Sequence, residues 1–137
     1  MRNTNFLFVL LATLLIFTGC SSDDDDNQQS FEELIVGTWL GVSSSYNGHN
    51  TGIPDNNILN FYSTGKAVFI YEGFGNNGED IYDEGDWFFE GNTLIIDFED
   101  AEDGWYYHLE ILELNDTNLK YSTEVDGHVL IENFIRE

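Results

Sequence analysis

From Val36 onward, apolar side chains come in short runs that alternate with polar ones, and the runs are split by Gly, Asn and Asp. That pattern predicts half-buried strands joined by tight turns, because a helix would instead repeat its apolar positions every three to four residues. Eight strands are predicted, spanning about 36–45, 57–62, 66–72, 84–89, 93–99, 105–113, 118–125 and 128–136. Asp126-Gly127 supplies the two residues tolerant of positive φ that a twisted hairpin needs. Ser63-Thr64-Gly65 and Glu90-Gly91-Asn92 read as three-residue turns, and Asn115-Asp116-Thr117 as the link between the sixth and seventh strands. Two connections are longer, 46–56 and 73–83, and both are rich in Gly and Asn.

Alternation with a period of two assigns faces. Leu59 and Phe61 point one way against Asn60, and Leu94, Ile96 and Phe98 one way against Asp97. Tyr107, Leu109 and Ile111 oppose His108 and Glu110, and Leu119 and Tyr121 oppose Lys120. Each connection is local, so consecutive strands should pair antiparallel. Eight strands with one apolar face each bury that face, and satisfy their edges, by closing into an up-and-down barrel. A two-sheet β-sandwich is the alternative. The one helical signal is 31–35, which follows Ser30 and carries Glu32 and Glu33 in a first turn suited to capping.

Composition supports a single folded unit over residues 31–137. The 11 Phe, 7 Tyr and 3 Trp supply the apolar area, and a chain with one cysteine has no disulfide to rely on. Ahead of that unit, the run 6–17 is apolar, follows the lone charge of Arg2, and is too short to span a bilayer that needs about 20 residues. Removing residues 1–19 takes away Arg2 alone among the charged groups and leaves three basic side chains against 26 acidic ones, a net charge of −23. A surface of that sign repels phosphate backbones and anionic headgroups, which argues against nucleic-acid binding. Residues 20–30 hold no apolar side chain after the cysteine but do hold four adjacent carboxylates, Asp23-Asp24-Asp25-Asp26, as a solvated tether would.

The lone cysteine, in Phe17-Thr18-Gly19-Cys20, resembles the lipobox of bacterial lipoproteins. The resemblance implies cleavage after Gly19, a lipid on the Cys20 sulfur and attachment to a membrane through that lipid. The acidic run just behind it resembles the surface-export signal of lipoproteins in some Gram-negative lineages, which implies an outer-membrane protein displayed on the cell surface. The alternative is a lipoprotein facing the periplasm. Within the domain, Leu34-Ile35-Val36-Gly37-Thr38-Trp39 resembles the opening strand of lipocalin-like lipoproteins, and Leu59-Asn60-Phe61-Tyr62-Ser63-Thr64-Gly65-Lys66, Gly85-Asp86-Trp87-Phe88-Phe89-Glu90-Gly91-Asn92-Thr93-Leu94, Leu112-Glu113-Leu114-Asn115-Asp116-Thr117-Asn118-Leu119 and Phe134-Ile135-Arg136 extend the match in order. That family implies a Trp39 packed at a closed barrel end beneath Arg136. A guanidinium on an indole face contributes about 0.5 to 2 kcal/mol.

Candidate chemistry is sparse. Asp97, Glu99, Asp100, Glu102 and Asp103 are hard oxygen donors of the type Ca²⁺ takes, but their spacing places Ala101 where an EF-hand needs a ligand, so a solvated acidic loop is the reading adopted. Asp80, Asp83, Glu84 and Asp86 form a second patch of the same kind. His49, His108 and His128 lack zinc-site spacing, and no serine elbow or free catalytic cysteine exists. No metal, cofactor or enzymatic activity is expected. Two functions are left. In the first, a small apolar ligand lies among Trp87, Phe89, Phe98, Trp105, Tyr107 and Tyr121. In the second, those rings simply fill the barrel of a structural or protein-interaction module.

Overall fold

The computed structural model describes residues 29–99 and 106–137. Cys20, the acidic run, Asp100, Glu102, Asp103 and Trp105 lie outside the described residues. The chain opens with α1 (Phe31–Ile35) and continues through β1 (Gly37–Tyr46), β2 (His49–Gly52), β3 (Ile58–Phe61), β4 (Lys66–Tyr71), β5 (Ile81–Glu90), β6 (Thr93–Phe98), β7 (Tyr107–Leu114), β8 (Asn118–Val125) and β9 (His128–Arg136). All pairings are antiparallel, and β1 and β9 also pair, from Trp39 opposite Arg136 to Tyr46 opposite Leu130. That last ladder closes β1 and β3 through β9 into an eight-stranded barrel, and it excludes the sandwich.

The interior follows the alternation of the sequence. Leu59, Leu94, Ile96, Leu109 and Leu119 have no exposed surface, and Phe61 and Ile111 are buried with them. Turn chemistry sets the registers. Asp126 (φ 53°) and Gly127 (φ 76°) make the two-residue β8–β9 turn, and Gly65 (φ 83°) ends the β3–β4 turn by donating to the Tyr62 carbonyl at 3.0 Å. Asn115 Oδ1 accepts from the backbone N–H of both Thr117 and Asn118 and so shapes the β7–β8 turn.

Three local readings need correction. The segment 46–56 is not all loop, because β2 folds back on the end of β1 through Asn47 (φ 48°) and Gly48 (φ 78°). Asn-Gly is the strongest short hairpin signal, and here it is flanked by residues too polar to read as strand. The fourth predicted strand begins three residues early, at Ile81, since Ile81, Tyr82 and Asp83 pair with Tyr71, Ile70 and Phe69. The turn after it has two residues, not three, with Glu90 paired to Thr93.

One end of the barrel is sealed by α1, the start of β1 and the end of β9. Ser30 caps α1 reciprocally with Glu33, each side chain meeting the other's backbone N–H at 3.3 Å. The three carbonyls that follow would otherwise be orphaned at a helix end. Ile35 O accepts from Trp39 Nε1 at 2.7 Å, Val36 O from Arg136 Nη1 at 2.7 Å, and Leu34 O from Arg136 Nη2. The guanidinium lies 4.3 Å from the centroid of the Trp39 ring, and its Nε donates to the Asp116 carbonyl at 2.8 Å. Gly37 is required beneath it, for two reasons. Its φ is +143°, and a Cβ there would collide with Arg136 Nη1.

The Trp39 ring is fully buried, so Trp39→Ala should lower the unfolding free energy by about 3 to 5 kcal/mol, as large core truncations do. Chemical denaturation monitored by circular dichroism measures it, and a loss under about 1 kcal/mol would show that the ring carries little of the packing.

Candidate functional site

The short turns, β3–β4, β5–β6 and β7–β8, gather at the end sealed by Trp39, and the 47–57 and 72–80 connections and the β8–β9 turn lie at the other. This asymmetry leaves a cavity of about 390 Å³ at the open end. Its apolar walls are Phe69 of β4, Phe98 of β6, Val125 of β8 and Leu130 of β9. Its polar groups are Asp55 and Asn56 of the 53–57 loop, Tyr71, Asp83, Tyr107 and Glu132. An adjoining hollow of about 350 Å³ shares Asp55, Val125, Leu130 and Glu132 and runs out past Ser44, Tyr46, Thr51 and Ile53. The rim is pinned where the Asn47 amide donates to His128 Nδ1 at 2.6 Å and the Tyr46 ring meets His128 edge-on.

Glu132 is the unusual member. Alternation along β9 sends Leu130, Glu132 and Phe134 inward, so a carboxylate occupies a core position and is 5% exposed. Tyr121 donates to it at 2.5 Å and accepts in turn from Asn56 Nδ2 at 3.3 Å, and Ser44 also bonds it. Burial pushes the Glu132 carboxyl above its ordinary 4.5 and Asp55 adds to the rise, against the pull of its hydrogen bonds to Tyr121, Ser44 and Asn56. The same burial raises the phenols of Tyr71, Tyr107 and Tyr121, with further contributions from Asp83 on Tyr71 and from Glu132 on all three.

The six aromatic candidates from the sequence divide between the two ends. Phe98 and Tyr107 line the open cavity, 6.1 Å apart between ring centroids. Tyr121 lies fully buried and reaches the cavity region through the hydroxyl it offers Glu132. Trp87 and Phe89 do not belong to that site: they sit with Phe61 and Phe31 at the sealed end, and Trp87 Nε1 is spent on the Tyr62 carbonyl at 3.1 Å. Faces follow from alternation, but depth along the barrel depends on strand stagger, which alternation does not report. Trp105 lies outside the described residues.

Of the acidic candidates, Glu99 is bound by Lys66 at 3.1 Å, with Asp86 on the same ammonium, and Asp97 faces outward opposite Asp86. Asp80 accepts from the Gly73 backbone. Asp83 alone of these lines the cavity. Among the described residues no group of three or more His, Cys, Asp or Glu is arranged to hold a metal ion. Sequence reasoning missed Glu132, Asp55, Asn56, Ser44 and Tyr71. The available signal was Glu132 itself, a carboxylate at an inward-phase position between Leu130 and Phe134.

Fold and geometry define a cup-shaped antiparallel β-barrel, filled at one end and hollow at the other. The lipocalin-like domain family matches residues 35–121, more than half of the chain, and the protein belongs to that family. Among solved structures, a lipocalin-like protein from Bacteroides uniformis ATCC 8492 superposes with a TM-score of 0.57 at 18% identity, covering 74% of this chain and 97% of that one. An uncharacterized protein from Bacteroides eggerthii DSM 20697 does so with a TM-score of 0.56 at 13% identity, covering 74% and 98%. No curated protein matches the chain.

The position of Glu132 has a consequence for stability. Its folded pKa lies above the unfolded value, so the folded state holds the proton more tightly. The stability due to that proton is fully present below the ordinary value of 4.5 and is lost as pH rises through the folded pKa. In thermal melts from pH ~4 to ~7, Glu132→Gln should gain stability relative to wild type as pH rises. Parallel curves for the two proteins would show that Glu132 ionises as freely as an exposed carboxylate.

Proposed function

We propose that this protein is an envelope lipoprotein, held by a lipid on Cys20, whose barrel binds a small ligand with an apolar body in the open-end cavity. The observation that carries the binding half is the cavity itself. At about 390 Å³ it falls within the range of roughly 300 to 1,000 Å³ typical of small-molecule sites, and its aromatic walls come with a few convergent polar groups. At the sealed end Trp39, Phe61 and Leu59 fill the barrel axis, and the hollow of about 340 Å³ there lies beside the β3–β4 turn, between Val36, Thr38, Asn60 and Thr64.

The anchoring half is supported by sequence. Cys20 closes an apolar leader and precedes a run of carboxylates that no fold could bury. An acidic tether of this kind keeps a strongly negative domain clear of an anionic membrane surface, so the acyl chains must supply the attachment. The acidic run behind the cysteine favours outward display on the outer membrane, and a periplasmic orientation is the competing outcome. The proposed role is binding rather than turnover.

The neutral dye N-phenylnaphthylamine should brighten saturably on titration into the protein, and Leu130→Trp, which fills the cavity, should abolish the response. A dye that stays dark in wild type would favour the second function, a filled barrel serving as a structural or protein-interaction module. Separately, Cys20→Ala should move the protein from the membrane to the soluble fraction, and protease added to intact cells should degrade the wild-type protein. Unchanged membrane fractionation of the variant would remove the lipid anchor from the proposal, and protection from protease would favour the periplasmic face.

A further inference from the structure

Resting on the reading of the open end as a binding cavity, we infer that its ligand is a cation, a small amine carrying an apolar or aromatic body. The cavity combines apolar walls with an excess of hydrogen-bond acceptors. Phe69, Phe98 and Leu130 offer rings and aliphatic surface, whereas Asp55, Asp83 and Glu132 offer carboxylates, which only accept. The donors nearby are already engaged. Tyr121 donates to Glu132, Asn56 donates to Tyr121, and the Tyr71 hydroxyl bonds Asp83.

Among the described residues no basic side chain balances this charge. Lys66 is held outside the barrel by Asp86 and Glu99, and Arg136 lies at the sealed end on Trp39. Lys120 projects opposite the inward Leu119 and Tyr121. The remaining arginine of the chain is Arg2, and no histidine lines the cavity. A carboxylate as buried as Glu132 without a cation is unfavourable, and a ligand ammonium would supply the missing charge while its body covers the aromatic walls.

Other ligand classes fit less well. A bare divalent cation would need several oxygens converging on one point, and no such group is found among the described residues. It would also leave Phe69, Phe98 and Leu130 without a role. An anion would meet three carboxylates and no donor of positive charge. A neutral polyol would need donors from the protein as well as acceptors, and the Tyr121 hydroxyl and an Asn56 N–H are already spent within the protein.

The test uses the full chain near neutral pH and three probes with one shared body: phenethylamine, phenethyl alcohol and hydrocinnamate. Displacement of N-phenylnaphthylamine, or calorimetry, reads their affinities. Phenethylamine should bind about tenfold or more tighter than the alcohol, as a charge-assisted hydrogen bond to a buried carboxylate predicts, and hydrocinnamate weakest of all. Glu132→Gln should remove the preference for the amine over the alcohol, bringing the two affinities to within about threefold of each other. Should that variant fail to fold, Asp55→Asn, at an exposed loop position, should reduce the preference in the same direction. Equal affinity for amine and alcohol, or a preference for hydrocinnamate, would overturn the inference and leave the binding cavity standing. Failure of the dye and all three probes to bind would overturn both.

Discussion

The fold depends on the meeting of its two ends at Trp39 and Arg136. Antiparallel neighbours such as β5 and β6 can pair as soon as they exist, but β1 and β9 are joined only after the whole chain has returned on itself. The entropic cost of closing so long a loop grows only slowly with length, yet it must be offset by contacts that form only on closure. The Arg136 guanidinium is suited to that role. It stacks on a buried indole and donates to carbonyls of Leu34, Val36 and Asp116, which belong to the helix end, the start of β1 and the β7–β8 turn. One side chain thus joins three parts of the chain that are remote in sequence, 34–39, 116 and its own strand at 136, and a planar fork of donors does this where a lysine could not.

Sealing one end sets the character of the other. Local connections must alternate between the two ends of an antiparallel barrel, and tight turns at the Trp39 end leave no room there for anything but side chains. The longer connections are free to hold their ends apart, and 53–57 places Asp55 and Asn56 across the mouth, with Pro54 packed over Gly41 at the β1 bulge. A bulge at this point bends β1 and returns Ser44 to the interior beside Glu132. The rigid half of the barrel positions the groups of the hollow half.

The architecture was legible in the sequence because its causes are local. Alternation in 93–99 and 107–111 fixed which side chains point inward, and Gly65 and Asp126-Gly127 fixed where strands reverse. The candidate site was much less legible. Trp87 and Phe98 read alike as inward aromatics, yet they lie at opposite ends, since depth is set by stagger accumulated over several strands. β2 escaped because its four residues are all exposed, so no apolar face announced it, although Asn47-Gly48 did announce the turn. Glu132 was not legible because a carboxylate among 26 acidic residues reads as surface, whereas aromatic side chains read as the lining of a site.

In a protein with 26 acidic residues, one more carboxylate carries no information by its identity. It becomes informative only by its phase: Glu132 follows Leu130 and precedes Phe134 with the same parity, and parity is what burial obeys in a strand. A buried carboxylate lowers stability unless it is hydrogen-bonded, and even fully bonded it stabilises less than the leucine that the position would accept. Here Tyr121, Asn56 and Ser44 are arranged to support it, and each of those polar groups must itself be kept in the interior. A barrel selected for packing alone would have continued the apolar pattern through β9. The interruption falls in the lining of the open-end cavity, beside Leu130 and Asp55.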